Sequence, residues 1–184
     1  MEVANKRVVA AQQTRAKLVE TGLVLAEELG LEGLSVNAVV AAAGVSKGTF
    51  FHHFPDRVCY LVALHRRFHD VLFDEVMSVI GEMAPGTDRL TALATTYLDG
   101  CLRDRGVKAL LLEARGHLPI ADEVMRRNRM HVDLVAADFE ALGSRHPREA
   151  ARLWIAATAE CALMELEGGR RDPSARSALT ALVQ

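Results

Sequence analysis

Apolar residues recur at helical spacing along almost the whole chain. Leu18, Gly22, Leu25 and Leu29 mark one face of a first helix. Gly30 predicts its end, because glycine accepts the left-handed conformation that commonly follows a helix. Ser35 is placed to cap a short helix whose Val36, Val39, Val40 and Ala43 share one side. Gly44 and Val45 predict a tight turn. Ser46 then caps a second short helix, on which Phe50 and Phe54 lie one turn apart. Pro55 and Asp56 close that helix and open a long amphipathic one over residues 58–82. A break at residues 84–88 precedes helices predicted over 89–102, 107–115, 119 or 122–142, 147–167 and 173–183. No segment alternates apolar and polar residues between hairpin turns, so no sheet is predicted. The expectation is an all-α chain of about nine helices. A three-helix bundle over residues 1–55 is followed by a larger bundle over 56–184.

The pair of helices at 36–43 and 47–54, joined by a glycine turn, is a helix-turn-helix. At about 100° per residue, Phe50 and Phe54 pointing inward leave Gly48 and His52 pointing out. Thr49 and Phe51 flank them, and Lys47 and His53 sit on the shoulders. A helix that reads a DNA major groove needs this division, with an apolar side that locks it and small or polar residues on the other. Gly48 lets the backbone come close to a duplex, and Thr49 offers a hydroxyl and a methyl.

Composition qualifies this picture. Half of the residues are hydrophobic and 25% are charged, enough to bury a core. The formal net charge of -2 supplies no bulk attraction to nucleic acid, although a local basic patch on a neutral chain is sufficient. Lys6, Arg7, Arg15 and Lys17 add such charge ahead of the helix-turn-helix. Cys59, Cys101 and Cys161 are widely spaced without a CxxC, the usage of reduced cytosolic thiols. No apolar run predicts a membrane helix, and the first residues lack the apolar block of a signal peptide. The expected location is cytoplasmic.

The segment LSVNAVVAAAGVSKGTFFHHFPDR, residues 34–57, resembles the DNA-binding segment of the TetR (tetracycline repressor-like) family of bacterial transcription regulators. The resemblance runs over about residues 14–60, and beyond them it is one of helix pattern alone. It implies a homodimer that binds palindromic double-stranded operator DNA, most often as a repressor released by a small-molecule effector. Carried over position by position, Ser35 stands at a capping residue that touches phosphate, and Ser46, Lys47 and Thr49 match the start of the recognition helix. Phe51 replaces the family's usual tyrosine, so a hydroxyl contact to the backbone is missing here. His52 and His53 match a common pair. Arg57 retains the charge of a phosphate-binding lysine, and Asn37 lies on the outer side of the preceding helix.

For the remainder, the resemblance implies an effector cavity among the middle helices. The candidate lining residues are Phe68, Leu72, Tyr97, Cys101, Leu111, Met125, Met130 and Trp154. Arg115 and His117 are candidates to anchor a polar group. The last two helices would form the dimer bundle. Leu153, Ala157, Cys161 and Met164 are grouped on one side of the first of them, and Trp154, Thr158 and Glu165 on the other. The rival reading is a small helical enzyme or ligand-binding protein with no DNA role. Against it, no GxSxG, P-loop, GxGxxG or HExxH occurs, and no catalytic residue or cofactor is expected. His65 and His69 stand four apart, but no third metal ligand accompanies them, so no metal is expected.

Overall fold

The computed structural model describes residues 2–116 and 118–184; the side chains of residues 2–5, Leu31, Glu113 and Arg115 lie outside that description. Among the described residues there are nine α-helices and no strand. They are α1 (Glu2–Gly33), α2 (Val36–Ala43), α3 (Lys47–His53), α4 (Arg57–Ile80), α5 (Thr87–Arg103), α6 (Arg105–Glu113), α7 (Leu118–Ala141), α8 (Pro147–Gly168) and α9 (Pro173–Ala181). A 3-10 turn, Ala114–Gly116, follows α6. Helix α1 does not stop at Gly30. That glycine (φ 63°, ψ -170°) kinks it, and the chain resumes helical turns to Gly33.

The chain forms two compact units. The first contains residues 1–68 and 106–121, and the second residues 69–105 and 122–184. This boundary, set by packing, falls within α4 after Phe68.

In the first unit the cores of α1, α2 and α3 meet at three rings. Phe50 and Phe54 are 0% and 1% exposed. The Tyr60 ring lies 5.0 Å from Phe50 and 4.9 Å from Phe54, both edge-on, the favoured aromatic geometry. The Tyr60 hydroxyl donates to the Leu18 carbonyl at 2.7 Å, and burial pushes its pKa above the usual phenol range, so it stays a donor. Local caps fix the helix ends. Ser35 Oγ accepts from the Ala38 amide (3.1 Å), Ser46 Oγ from the Thr49 amide (3.0 Å) and Asp56 Oδ1 from the Cys59 amide (2.7 Å). Gly44, at φ 65°, closes α2. The start of α6 belongs to this unit too, and Glu27 Oε2 of α1 accepts from the amides of Gly106 (2.7 Å) and Val107 (3.0 Å).

In the second unit, α8 buries Ala151, Trp154, Thr158, Cys161, Ala162 and Glu165. Cys161 therefore shares the side of Trp154 rather than that of Leu153 and Met164, because seven residues bring a helix round by nearly two full turns. Glu165, 1% exposed, accepts from Arg176 Nε (2.6 Å) and Nη2 (2.8 Å) and from the Asp172 amide (2.9 Å). Arg176 also donates to Asp99 at 2.7 Å, which ties α5, α8 and α9 together. Asp138 accepts from the Gly86 amide at 3.0 Å, with Arg89 3.5 Å from its other oxygen. Burial raises the Asp138 pKa against the pull of both partners.

Candidate nucleic-acid interface

Helix α3 is short because its sequence supplies both ends. Ser46 caps its start, and the Phe54 amide closes on the Phe50 carbonyl at 2.9 Å where Pro55 follows. Its inner side is fixed by Phe50 and Phe54. That leaves Lys47, Gly48, Phe51 and His52 exposed and Thr49 and His53 half-buried.

Phe51 belongs to both faces. It is 48% exposed, and its ring meets Phe50 edge-on at 5.4 Å. Its base packs on the bundle while its far edge is presented outward. The His52 and His53 rings lie 5.2 Å apart. Burial, then the neighbouring His52 and Arg15, pushes the His53 pKa below the ordinary imidazole value, which favours its neutral form. The Arg15 guanidinium stands 4.8 Å over the Phe54 ring and joins α1 to the end of α3. Nothing in the spacing of the sequence signals that contact, which links residues on separate helices.

The flanking polar residues are held in place before any partner arrives. The hydroxyls of Ser35 and Ser46 accept from backbone amides. Ser46 Oγ and Thr49 Oγ1 also hydrogen-bond, at 2.9 Å. Asn37 is exposed on α2. Arg57 Nε donates to the Leu34 carbonyl at 3.3 Å, so the guanidinium is turned toward a shallow groove with Glu32, Leu34, Ser35 and Val36. Arg57 thus stands beside Ser35, and both are brought to one side of the helix-turn-helix.

The candidate effector residues are distributed differently. Phe68 and Leu111 are buried in the first unit, and Leu72, Cys101 and Trp154 in the second. Tyr97 is half-buried, whereas Met125 and Met130 are 50% and 57% exposed. The Arg115 side chain and His117 lie outside the described residues. Trp154 is 3% exposed, and its Nε1 donor has no hydrogen-bond partner among the described residues.

Residues 18–58 match the family profile described as bacterial regulatory proteins, tetR family, a span that contains the whole helix-turn-helix and Arg57. Among curated proteins, the repressor KstR2 of Rhodococcus jostii is 27% identical over 109 residues, covering 59% of this chain and 53% of the relative. The regulator CymR of Pseudomonas putida is 30% identical over 78 residues, 42% of this chain and 38% of the relative. The chain thus spans about half or less of the length of these relatives. Among solved structures, a transcriptional regulator from Rhodococcus sp. RHA1 superposes with a TM-score of 0.77 at 23% identity, covering 92% of this chain and 93% of that one. The multidrug binding protein EbrR, complexed with imidazole, gives 0.74 at 24%, covering 92% and 94%. At such identities the likeness is one of fold. Residues 18–58 thus carry the helix-turn-helix described for the tetR family of bacterial regulatory proteins, and the chain as a whole shares the all-helical fold of these solved regulators.

Proposed function

We propose that the chain is a transcriptional repressor that binds a palindromic operator as a homodimer and releases it when a small-molecule effector binds. The observation that carries the reading is the division of α3. Phe50 and Phe54 are fully buried, and Gly48, Phe51 and His52 face outward next to the capped hydroxyls of Ser46 and Thr49. On this reading residues 1–55 are the DNA-binding domain, and residues 56–184 serve effector binding and dimerisation. Thr49 and His52 meet base edges, while Ser35, Asn37, Lys47 and Arg57 meet phosphates.

A single short helix makes too few contacts for tight specific binding, so two copies read successive major grooves about 34 Å apart. The side of α8 that its own unit leaves open carries Leu153 (73% exposed) and Met164 (45%), and Leu182 (63%) follows the end of α9. Those residues form the partner surface. The buried Trp154 Nε1 offers a donor to an oxygen of the effector. The effector must bind the free and DNA-bound states differently to shift the balance between them.

The test is selection of a duplex from a library with a random core, followed by anisotropy titration of the selected sequence. Wild type should select a two-fold symmetric sequence and bind it with steep salt dependence. Thr49→Ala and His52→Ala should each relax specificity by about 5- to 150-fold, the range for losing one base contact. Arg57→Ala should weaken all duplexes alike. Failure of the wild type to prefer any sequence refutes the reading.

A further inference from the structure

Three buried polar atoms of the second unit have no hydrogen-bond partner among the described residues: Trp154 Nε1, Arg89 Nε and Asp138 Oδ2. Their residues are 3%, 8% and 0% exposed. A buried donor or acceptor left unmet is costly, and folded chains mostly avoid it. The neighbouring groups do not meet the need. Arg89 Nη2 donates to the Leu134 carbonyl at 3.2 Å and stands 3.5 Å from Asp138 Oδ2, beyond good hydrogen-bond distance. Asp138 Oδ1 is engaged by the Gly86 amide at 3.0 Å.

Helix register brings the three residues to one end of the unit. Arg176 of α9 bonds both Asp99 of α5 and Glu165 of α8, so those two are level. The turn at residues 169–172 makes α9 antiparallel to α8. Beyond the far end of α9, the Val183 carbonyl accepts from the Thr87 hydroxyl at the start of α5, at 2.8 Å. Helices α5 and α8, which pack together, therefore run in the same sense. At about 1.5 Å per residue, Arg89 lies about 15 Å before Asp99 and Trp154 about 16 Å before Glu165, so they share a level. Trp154 also points the way Glu165 does, because about three full turns separate them. Asp138 belongs to the same end, since it lies in the last turn of α7 and a short loop leads from there into α8.

The chemistry of the three atoms narrows what meets them. Two donate and one accepts. A single hydroxyl answers both demands, since its oxygen accepts and its proton donates. A ketone or ether would leave Asp138 unmet, and an ammonium would leave the two donors unmet. The Arg89 guanidinium already offsets the Asp138 carboxylate, so a further charge would be buried unpaired. Leu90, Val135, Phe139 and Ala151, on the same three helices, are all buried, so the remainder of the partner is apolar.

We propose that Trp154 Nε1, Arg89 Nε and Asp138 Oδ2 bind the hydroxyl of an uncharged, largely apolar alcohol or phenol, and that such a compound is the effector. The proposal rests on the effector-release reading above and names the class of molecule for it.

Trp154 is the chain's one tryptophan, so its fluorescence reports this site directly. The full chain is titrated with p-cresol and cyclohexanol, with the matched carboxylates p-toluate and cyclohexanecarboxylate, and with toluene. Excitation is at the red edge of the tryptophan band, where p-cresol does not absorb. Anisotropy on the duplex that the wild type selects is followed in parallel. The hydroxyl compounds should change the emission saturably and lower affinity for the duplex, and the carboxylates should bind at least about 10-fold more weakly. In titration calorimetry, Trp154→Phe should weaken p-cresol by about 2- to 13-fold, the range for one hydrogen bond, and leave toluene unchanged. The wild-type titrations need no variant to fold. No saturable response to either hydroxyl compound, as when water alone meets these atoms, overturns the proposal. So does tighter binding of the carboxylates, or equal loss of p-cresol and toluene in Trp154→Phe, which marks altered packing. Each of these leaves the repressor reading standing while the wild type still selects a duplex. Saturable binding that leaves duplex affinity unchanged upholds the site and overturns the effector assignment. A wild type that prefers no duplex overturns the repressor reading, and the fluorescence titrations then decide the site by themselves.

Discussion

Gly22→Ala tests the packing that joins α1 to α4. A methyl at residue 22 would meet Tyr60 Oη at 1.9 Å, Tyr60 Cζ at 2.8 Å and Leu64 Cδ2 at 2.9 Å. Tyr60 is 2% exposed and its hydroxyl bonds the Leu18 carbonyl at 2.7 Å, so the ring has no open space to swing into. Overpacking a core in this way costs about 1–3 kcal/mol, and parting a buried hydroxyl from its acceptor costs about 1–3 kcal/mol. Replacing a helical glycine by alanine returns about 1 kcal/mol. The net is a destabilisation of about 3 kcal/mol, which in a chain of this size lowers the melting temperature by about 6–12 °C. Thermal melts followed by circular dichroism would show it. Tyr60→Phe removes the atom in closest conflict, so in the double variant the two changes should cost less than their sum, by more than about 0.5 kcal/mol. A Gly22→Ala protein that melts at or above the wild-type temperature would refute the argument, because helix propensity alone predicts that result.

Three further outcomes follow. Gly106→Ala should destabilise by about 1–3 kcal/mol, because its Cβ would lie 2.7 Å from the Glu27 backbone; Gly168→Ala, with nothing within 4 Å, should stay within about 0.5 kcal/mol in urea titrations. Glu165→Ala leaves Arg176 nearly buried with Asp99 as its remaining carboxylate and should cost about 3 kcal/mol in the same titrations, the low end for breaking a buried ion pair. His53 has a folded pKa below its unfolded value, so the unfolded chain binds more protons and stability falls as pH drops below about 6.5. His53→Gln should flatten the decline of melting temperature between pH 7 and the lower pKa, and an unaltered pH profile would count against a depressed His53.

The helix-turn-helix was legible because each of its decisions is local. Ser35, Gly44 and Ser46 act on backbone groups within four residues, and α2 has the residue range read from sequence. Two buried phenylalanines one turn apart then determine which way every other residue of α3 points. The kink at Gly30 shows the limit of that logic, since one left-handed residue bends a helix whose neighbours on both sides still favour helical turns. Phe51 marks another limit. Spacing placed it at the boundary of two faces, and its edge-on contact with Phe50 depends on how deeply the bundle seats that ring.

What the sequence does not display are contacts in which one residue's identity answers to another far along the chain. Gly106 reads as an ordinary helix start, yet its missing side chain is what lets α6 approach Glu27, 79 residues earlier, closely enough for that carboxylate to cap it. Gly22 reads as one more position in an apolar stripe, and it is the aperture through which Tyr60 reaches a carbonyl of α1. They join α1 to α4 and α6. Such joints carry no periodicity, because periodicity records which side of a helix is buried and not what it is buried against. The surface proposed to read DNA is legible for the opposite reason. Its proposed partner is a regular duplex outside the chain, and the demands of such a partner fall on residues that are near one another in sequence.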